Sequence, residues 1–162
     1  MENNIQNIVQ DIYSFSSFVS NQEKWTVYSD KISSLWNELE IINAIALDEW
    51  DKDNRPLTWR KWKEKYQKNA RDCSKIFLEQ VRLLLNNKIS DILLNFNTFS
   101  KFFNMLERDD FFLKNYFDIF RKIENIYFLL YEDNTQYNNE KEELKSLLNH
   151  ISIVYPERFL SN

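Results

Sequence analysis

The chain contains no glycine among its 162 residues. Glycine is the residue that most readily adopts positive φ in tight hairpin turns and in loops that hold phosphate groups. The chain also has only two prolines, so it lacks most of the residues that punctuate β-sheets. Helices can be joined without glycine, because Asn and Asp tolerate the left-handed region at a turn. The composition therefore predicts an all-α protein with no β-sheet.

Apolar residues recur at intervals of three and four along most of the chain, which is the rhythm of amphipathic helices. This rhythm predicts helices over residues 2–21, 23–51, 58–85, 89–106, 111–131 and 137–152. Between and after them we expect a connector near 51–57, a flexible loop near 132–139 and a short C-terminal tail at 153–162. The length suits one domain. The prediction is a single bundle of five to six helices spanning residues 1–162.

Particular residues predict where these helices begin and end. In the connector, Asn54 offers a polar turn, and Thr58 is expected to cap the third helix. The pair at 86–87 is expected to end that helix, because Asn can replace the missing C-terminal glycine. Asp109 or Asp110 is expected to cap a new helix start. The tail is expected to be pinned by its apolar residues Tyr155, Phe159 and Leu160.

The helix predicted at 23–51 is apolar on two sides. Beside its main stripe, Val27, Ile41 and Ile45 lie nearly opposite. Such a helix either sits centrally in a bundle or offers its second side to a partner, and we favour the central position. Trp36 and Trp50 lie next to the main stripe, so partial exposure is an alternative to burial. The heptad-like stripes of the first two helices also allow a homodimer.

Charge is unevenly distributed along the chain. Residues 1–54 carry ten acidic and three basic side chains, and residues 55–88 carry three acidic and ten basic ones. Residues 89–162 carry twelve acidic and eight basic side chains. The net charge of −4 therefore conceals a strongly basic segment between two acidic ones. The core of that segment is TWRKWKEKYQKNARDCSK, residues 58–75.

A helical wheel of residues 58–75 separates the cations from the aromatic rings. Six of its seven cations fall within an arc of about 140°. They form what we call the basic strip: Arg60, Lys61, Lys65, Lys68, Arg71 and Lys75. The aromatic residues fall on the opposite side and are expected to point into the core. Since stacking on nucleobases needs a ring and a cation accessible together, the pattern does not favour base recognition.

The basic strip has three interpretations. In the first, the strip is a solvated face, or one neutralised internally by the acidic first two helices. In the second, it contacts an acidic surface of a protein partner. In the third, it contacts the phosphate backbone of a nucleic acid, which positions a protein without reading sequence. A sequence pI near 5.2 counts against the last interpretation, because nucleic-acid-binding domains tend to be basic overall.

The composition excludes several kinds of catalytic site. Without glycine there is no Walker loop, no dinucleotide fingerprint and no glycine-flanked nucleophile elbow. The single histidine, His150, excludes zinc and di-iron motifs that need two. The single cysteine, Cys73, excludes an internal disulfide and is expected to be a buried structural thiol. We therefore expect no cofactor, no metal and no enzymatic activity.

Acidic clusters are the remaining route to catalysis. Residues 48–53, DEWDKD, resemble half of a calcium loop but lack its glycine, so we interpret them as a polar helix end. Glu107-x-x-Asp110 and Glu140-x-x-Glu143 resemble the acidic pairs with which all-α nucleotide pyrophosphohydrolases hold Mg²⁺. That resemblance implies a metal-dependent nucleotide hydrolase. Acids at helix starts also complement the helix dipole, which makes this the third and least favoured alternative.

The sequence as a whole favours a protein that acts by binding. The leading hypothesis is a non-catalytic helical protein-binding module: an adaptor, a small assembly subunit, or an inhibitor or immunity-type protein. Residues with AT-rich codons are abundant, which points to bacterial, phage or mobile-element origin. The alternative is a nucleic-acid backbone-binding subunit of a ribonucleoprotein that uses the basic helix. No secretory signal is visible and the apolar runs are short, so a cytoplasmic location without membrane contact is predicted.

Overall fold

The computed structural model describes residues 2–132 and 137–160. Within these residues the chain forms eight α-helices and no β-strand. The predicted all-α class is confirmed, whereas the helices outnumber the five to six that we expected. The difference arises at the two ends of the chain, where the first predicted helix is split and the predicted tail contains a short helix.

In chain order the helices are α1 Glu2–Ile8, α2 Ile12–Gln22, α3 Asp30–Lys52, α4 Gln67–Ile92, α5 Phe96–Glu107, α6 Asp110–Glu132, α7 Tyr137–Val154 and α8 Glu157–Leu160. A 3₁₀ helix, Glu23–Tyr28, joins α2 to α3, and a π turn, Trp62–Tyr66, runs directly into α4. The chain divides into two compact units, the N-terminal unit Met1–Arg82 and the C-terminal unit Leu83–Asn162. A single domain spanning 1–162 stays a prediction.

The first predicted helix, 2–21, is broken between α1 and α2. Asp11 caps α2, because its side chain accepts a 2.8 Å hydrogen bond from the backbone N–H of Ser14. An N-cap of this kind satisfies a backbone donor that the helix itself leaves free. The apolar side chains on either side of the break, among them Val9, Ile12 and Phe15, are buried. The stripe of this segment is therefore packed inside the N-terminal unit.

The second predicted helix, 23–51, begins later than its rhythm suggested. The chain is a 3₁₀ helix up to Tyr28, and Ser29 then caps α3. On α3, Ile41 is 59% exposed and Ile45 is 54% exposed. We predicted a central position for this helix, with apolar contacts on both of its sides. That prediction is wrong, because Ile41 and Ile45 on the second side are exposed.

Two tryptophans of α3 differ in their surroundings. Trp50 is buried, and its indole N–H donates a 3.1 Å hydrogen bond to the carbonyl oxygen of Pro56. Trp36 is half-buried and donates to the carbonyl oxygen of Val19 at 3.0 Å. Partial exposure holds for Trp36 and not for Trp50.

The connector after α3 turns through the left-handed region, as its polar residues predicted. Asn54 and Arg55 have φ values of 63° and 51°. Asn adopts such values more readily than most residues, which explains how the chain turns here without glycine. The next helical stretch starts at residue 60, so Thr58 is not its N-cap. The position before this helix is occupied by Trp59.

The predicted end of this helix at residues 86–87 is also wrong, since α4 continues to Ile92. Leu85, Ile89 and Leu93 are all buried. The apolar stripe thus runs past the Asn pair, and burial outweighs the modest helix propensity of Asn. The actual break is marked by Asn95, which forms a capping box with Thr98 at the start of α5.

The C-terminal unit is held by aromatic packing between α5 and α6 and by a buried carboxylate. Phe103 and Tyr127 stack with their ring centroids 4.1 Å apart. Asp109 caps α6, as predicted, by accepting a 3.0 Å hydrogen bond from the backbone N–H of Phe112. It also accepts a 3.0 Å bond from the Tyr155 hydroxyl and pairs with Arg158.

The end of the chain is more helical than we predicted. The expected loop at 132–139 is shortened from both sides, because α6 includes Glu132 and α7 begins at Tyr137. Residues 133–136 lie outside the described residues, as do 161–162 of the tail. The described part of the tail contains α8. Its three predicted anchors are buried, as expected: Tyr155, Phe159 and Leu160.

Candidate binding surface

The candidate site is the basic strip, which extends from the two residues before the π turn, through that turn, and along the first half of α4. All six of its cations are exposed. The aromatic residues of the same segment are buried: Trp59, Trp62, Tyr66 and Phe77. The predicted separation of a charged face from an aromatic face is confirmed. Two strongly different environments therefore lie on opposite sides of one helix.

Trp62 anchors this helix to the N-terminal unit. Its side chain is 2% exposed, and its indole N–H donates a 3.0 Å hydrogen bond to the carbonyl oxygen of Val9. The side-chain amide of Gln67 donates to the same carbonyl at 2.9 Å. That carbonyl lies at the break between α1 and α2. The break between α1 and α2 therefore supplies the acceptor for both Trp62 and Gln67, and these two hydrogen bonds position the helix that carries the basic strip.

The inner half of the basic strip, Arg60, Lys61 and Lys65, faces carboxylates. Lys65 Nζ lies 2.7 Å from Glu49 Oε2. Lys61 Nζ lies 2.9 Å from Asp53 Oδ2 and 3.5 Å from Glu49 Oε1. Both acids come from the C-terminal end of α3 and its first following residue. The left-handed turn after α3 brings the helix start back to these acids, so Lys61 and Lys65 are neutralised internally.

Two uncharged donors, the Tyr66 hydroxyl and the Trp59 indole N–H, also belong to this cluster and affect the pKa values of its carboxylates. The Lys65 ammonium and the Tyr66 hydroxyl, both hydrogen-bonded to Glu49, lower the pKa of Glu49 to about 2. The indole N–H of Trp59, 2.8 Å from Asp53 Oδ2, and then Lys61 lower the pKa of Asp53. The same carboxylates raise the pKa values of Lys61 and Lys65. The charged forms of both partners are therefore favoured throughout the cluster.

The acidic segment 48–53 behaves as the polar helix end that we predicted. Each of its carboxylates forms an ion pair with a nearby base, Asp48 with Lys52 and Asp51 with Arg55 in addition to the pairs above. Among the described residues, no three His, Cys, Asp or Glu side chains lie close enough together to hold a metal ion. The acidic pairs at 107–110 and 140–143 are thus not brought together into such a group.

The outer half of the basic strip, Lys68, Arg71 and Lys75, is different. In the described part of the structure these three side chains form no ion pair and no hydrogen bond, and all are exposed. They occupy an arc of about 60° and about 10 Å of helix length. Arg60, at the other end, approaches only Glu64 at 3.9 Å and is 92% exposed. Within the basic strip, the cations without an ion-pair partner among the described residues therefore lie on α4.

Two neighbours of the outer half were missed in the sequence. Arg82 is exposed and lies seven residues after Lys75, on the same side of α4. A heptad interval continued beyond residue 75 would have found it. Ile76 is 48% exposed and borders the cations, which gives this surface an apolar contact. The helical wheel would have found Ile76 too, because it places this residue outside the arc of the buried aromatic side chains.

The chain has three other chemically distinctive features in the described residues, namely Cys73, His150 and a small cavity. Cys73 is half-buried and not buried as we expected, and burial raises the pKa of its thiol. His150 is exposed on α7. A cavity of about 100 Å³ lies beside Trp59 and Trp62, lined also by Tyr13 and Pro56. Its volume is that of a few water molecules and is too small for a nucleotide.

Comparisons of the chain with protein-family models, curated proteins and solved structures found no match. Over the described residues, none of the helices combines the length and the apolar character that crossing a membrane requires.

Proposed function

We propose that the chain is a non-catalytic helical binding module that docks an acidic surface of a protein partner through the outer half of the basic strip. The observation that carries the proposal is a contrast within the described residues. Lys61 and Lys65 are paired internally, whereas Lys68, Arg71 and Lys75 have no ion-pair partner there. A cation without an internal partner can be offered to another molecule without breaking an existing ion pair. Three of them lie on one short arc and form a positive surface, with the exposed acids Asp72 and Glu79 beside them on the same side of α4.

The chemistry of this surface suits a protein partner. Arg is among the residues that contribute most to protein interfaces, and Arg71 lies at the middle of the outer half. Ile76 adds an apolar contact at its edge, where it is 48% exposed. Complementary charge speeds encounter and selects the partner. The helix behind the cations is anchored by Trp62, so the surface is presented in a fixed geometry. Adaptors, small assembly subunits and inhibitor or immunity-type proteins of bacterial or phage cytoplasm act in this way.

A nucleic-acid backbone is the second candidate ligand. The observation that favours it is the same row of unpaired cations, which extends to Arg82 and suits a row of phosphates. The burial of Trp59, Trp62 and Tyr66 leaves no ring beside the cations for stacking on bases. Such a complex would therefore rely on phosphate contacts alone, as in a backbone-binding subunit of a ribonucleoprotein.

The test is affinity capture from native lysate with and without nuclease, using three forms of the chain. The first is wild type, and the second carries Lys68→Glu, Arg71→Glu and Lys75→Glu. The matched control carries Lys31→Glu, Lys63→Glu and Lys145→Glu, which change three other exposed lysines by a similar total charge. We expect a nuclease-resistant protein partner that wild type and control retain and that the outer-half variant loses.

The alternatives give different results in this experiment. Loss of the captured material after nuclease, with binding that falls log-linearly with salt, supports the phosphate backbone instead. A partner retained equally by wild type and by the outer-half variant contradicts docking through these cations. A partner lost equally by both variants shows that only net charge matters, which also contradicts the proposed surface.

A further inference from the structure

A second exposed surface lies on α6, in the C-terminal unit. Tyr116 has the non-helical angles φ −130° and ψ 30°, so α6 is kinked there, with a regular helical stretch on each side. In the stretch after Tyr116, side chains at intervals of four, three, four and three residues share one side of the helix. We call them the α6 face: Phe117, Arg121, Glu124, Phe128 and Tyr131.

The rings of the α6 face are unusually accessible for their size. Phe117 is 56% exposed, Phe128 is 55% exposed and Tyr131 is 70% exposed. Between Phe117 and Phe128 lies one ion pair, Arg121 with Glu124, whose side chains are 57% and 17% exposed. From one end, the α6 face therefore presents an aromatic ring, an exposed cation, a carboxylate that is largely covered and two further aromatic rings. Exposed aromatic residues clustered on one helix are typical of an interaction surface.

This order of side chains is complementary to itself when reversed. If two copies of the α6 face lie antiparallel, with the two-fold axis between residues 122 and 123, Arg121 lies opposite Glu124 of the second copy. Phe117 then lies opposite Phe128 of the second copy, and each of these contacts occurs twice. A parallel arrangement would instead place Arg121 against Arg121 and Glu124 against Glu124, which like-charge repulsion disfavours.

We infer that the α6 face binds a second copy of this chain in an antiparallel, two-fold symmetric helix pair. The interface is isologous, because both copies use the same residues. The two Arg–Glu pairs set the register, and the two Phe–Phe pairs supply apolar contact. The contacting length, from residue 117 to residue 131, is about 21 Å. A single helix pair of this length lies at the small end of stable interfaces, so the dimer forms only at high protein concentration.

Charge exchange tests the pairing by sedimentation equilibrium over a range of concentrations. Arg121→Glu alone and Glu124→Arg alone each place like charges opposite one another, and we expect dimerisation to weaken at least about tenfold. The double variant restores opposite charges and should return the dimer. Leu129→Ser is the matched control, because Leu129 is 41% exposed on α6 but points away from the α6 face. Circular dichroism confirms that each variant is folded.

The inference is overturned by a wild-type chain that stays monomeric up to about 0.5 mM. It is equally overturned by single variants that dimerise like wild type, or by a double variant that does not recover. The register has its own test in a Cys73→Ser background. A mixture of Phe117→Cys and Phe128→Cys chains should form mixed disulfide dimers in preference to dimers of either chain with itself, and a random distribution contradicts the antiparallel pairing.

Discussion

The two halves of the basic strip have almost the same composition and very different surroundings. Lys61 and Lys65 lie within 3 Å of carboxylate oxygens of Asp53 and Glu49. Lys68, Arg71 and Lys75 begin less than one turn later and, within the described residues, have no such partner. The difference shows that a run of cations in a sequence is not one functional unit. Whether each cation is free depends on what the preceding turn brings beside it.

The physical origin of the difference is the connector after α3. Asn54 and Arg55, both with positive φ, reverse the chain within a few residues. This reversal places the acidic end of α3 beside the first turn of the next helix. Among the described residues, these acids form ion pairs in the first two turns, with Lys61 and Lys65, and with no cation further along. The acidic end of α3 therefore pairs with Lys61 and Lys65, and in the described part of the structure it forms no ion pair with the outer half.

The largest expected effect concerns the anchor that both halves share. Trp62→Ala removes a buried indole and the hydrogen bond to Val9, and large-to-small changes of this kind cost about 3–5 kcal/mol of the free energy of unfolding. Chemical denaturation measures the loss. Lys63→Ala, at the exposed neighbouring residue, is the control and should leave the unfolding midpoint unchanged. Equal stability of Trp62→Ala and wild type would show that the aromatic side of this helix is not core.

The second-largest expected effect is a change in Tm that differs between the inner and the outer half of the basic strip. Lys61→Glu with Lys65→Glu places four carboxylates together, so we expect a clear fall in Tm. Lys68→Glu with Lys75→Glu makes the same change of charge where no ion pair exists and should alter Tm far less. Thermal unfolding followed by circular dichroism compares the two variants. An equal fall in both would mean that net charge, and not the cluster, determines stability.

A smaller effect appears in the pH dependence of the free energy of unfolding. The pKa of Glu49 is lowered from 4.5 to about 2, so its ionised form stabilises the folded state. That contribution is complete above about pH 4.5 and is lost as the pH falls towards about 2. Glu49→Gln should therefore be less stable than wild type near neutral pH, and the difference should shrink across this window. Urea titrations at several pH values measure it.

The matched control for this pH dependence is Glu38→Gln. Glu38 is exposed on the same helix and makes no ion pair in the described part of the structure. We expect its difference from wild type to be small and to vary little across the same pH range. A Glu49→Gln variant whose stability follows wild type at every pH would contradict the assigned role of the cluster.

Much of the fold could be predicted from local chemistry. The absence of glycine and the rhythm of apolar residues predicted an all-α chain. Asp109 was recognisable as a cap, and Asn54 as a residue suited to a left-handed turn. The helical wheel correctly placed Trp62 and the cations on opposite sides. Each of these features depends only on residues that are neighbours in the sequence.

The errors arose where tertiary packing overrides local preference. The Asn pair at 86–87 did not end α4, because buried residues on both sides continue the helix. The segment before Ser29 kept an apolar rhythm although it is a 3₁₀ helix. The pairing of Lys61 and Lys65 with Asp53 and Glu49 could not be read from the sequence, since it depends on how tightly the connector turns. Internal neutralisation was one of the interpretations left open, and in the described part of the chain it applies to these two lysines of the basic strip.

The measurement that tests the central contrast most directly is the rate of lysine acylation under native conditions, resolved by residue with mass spectrometry. Only a neutral amine reacts, and carboxylates hold Lys61 and Lys65 in ion pairs and raise their pKa values. We expect Lys68 and Lys75 to react clearly faster than Lys61 and Lys65. Glu49→Gln combined with Asp53→Asn should accelerate the two inner lysines and leave the outer ones unchanged. Equal rates at all four lysines in the wild-type chain would contradict the division of the basic strip into a paired half and a free half.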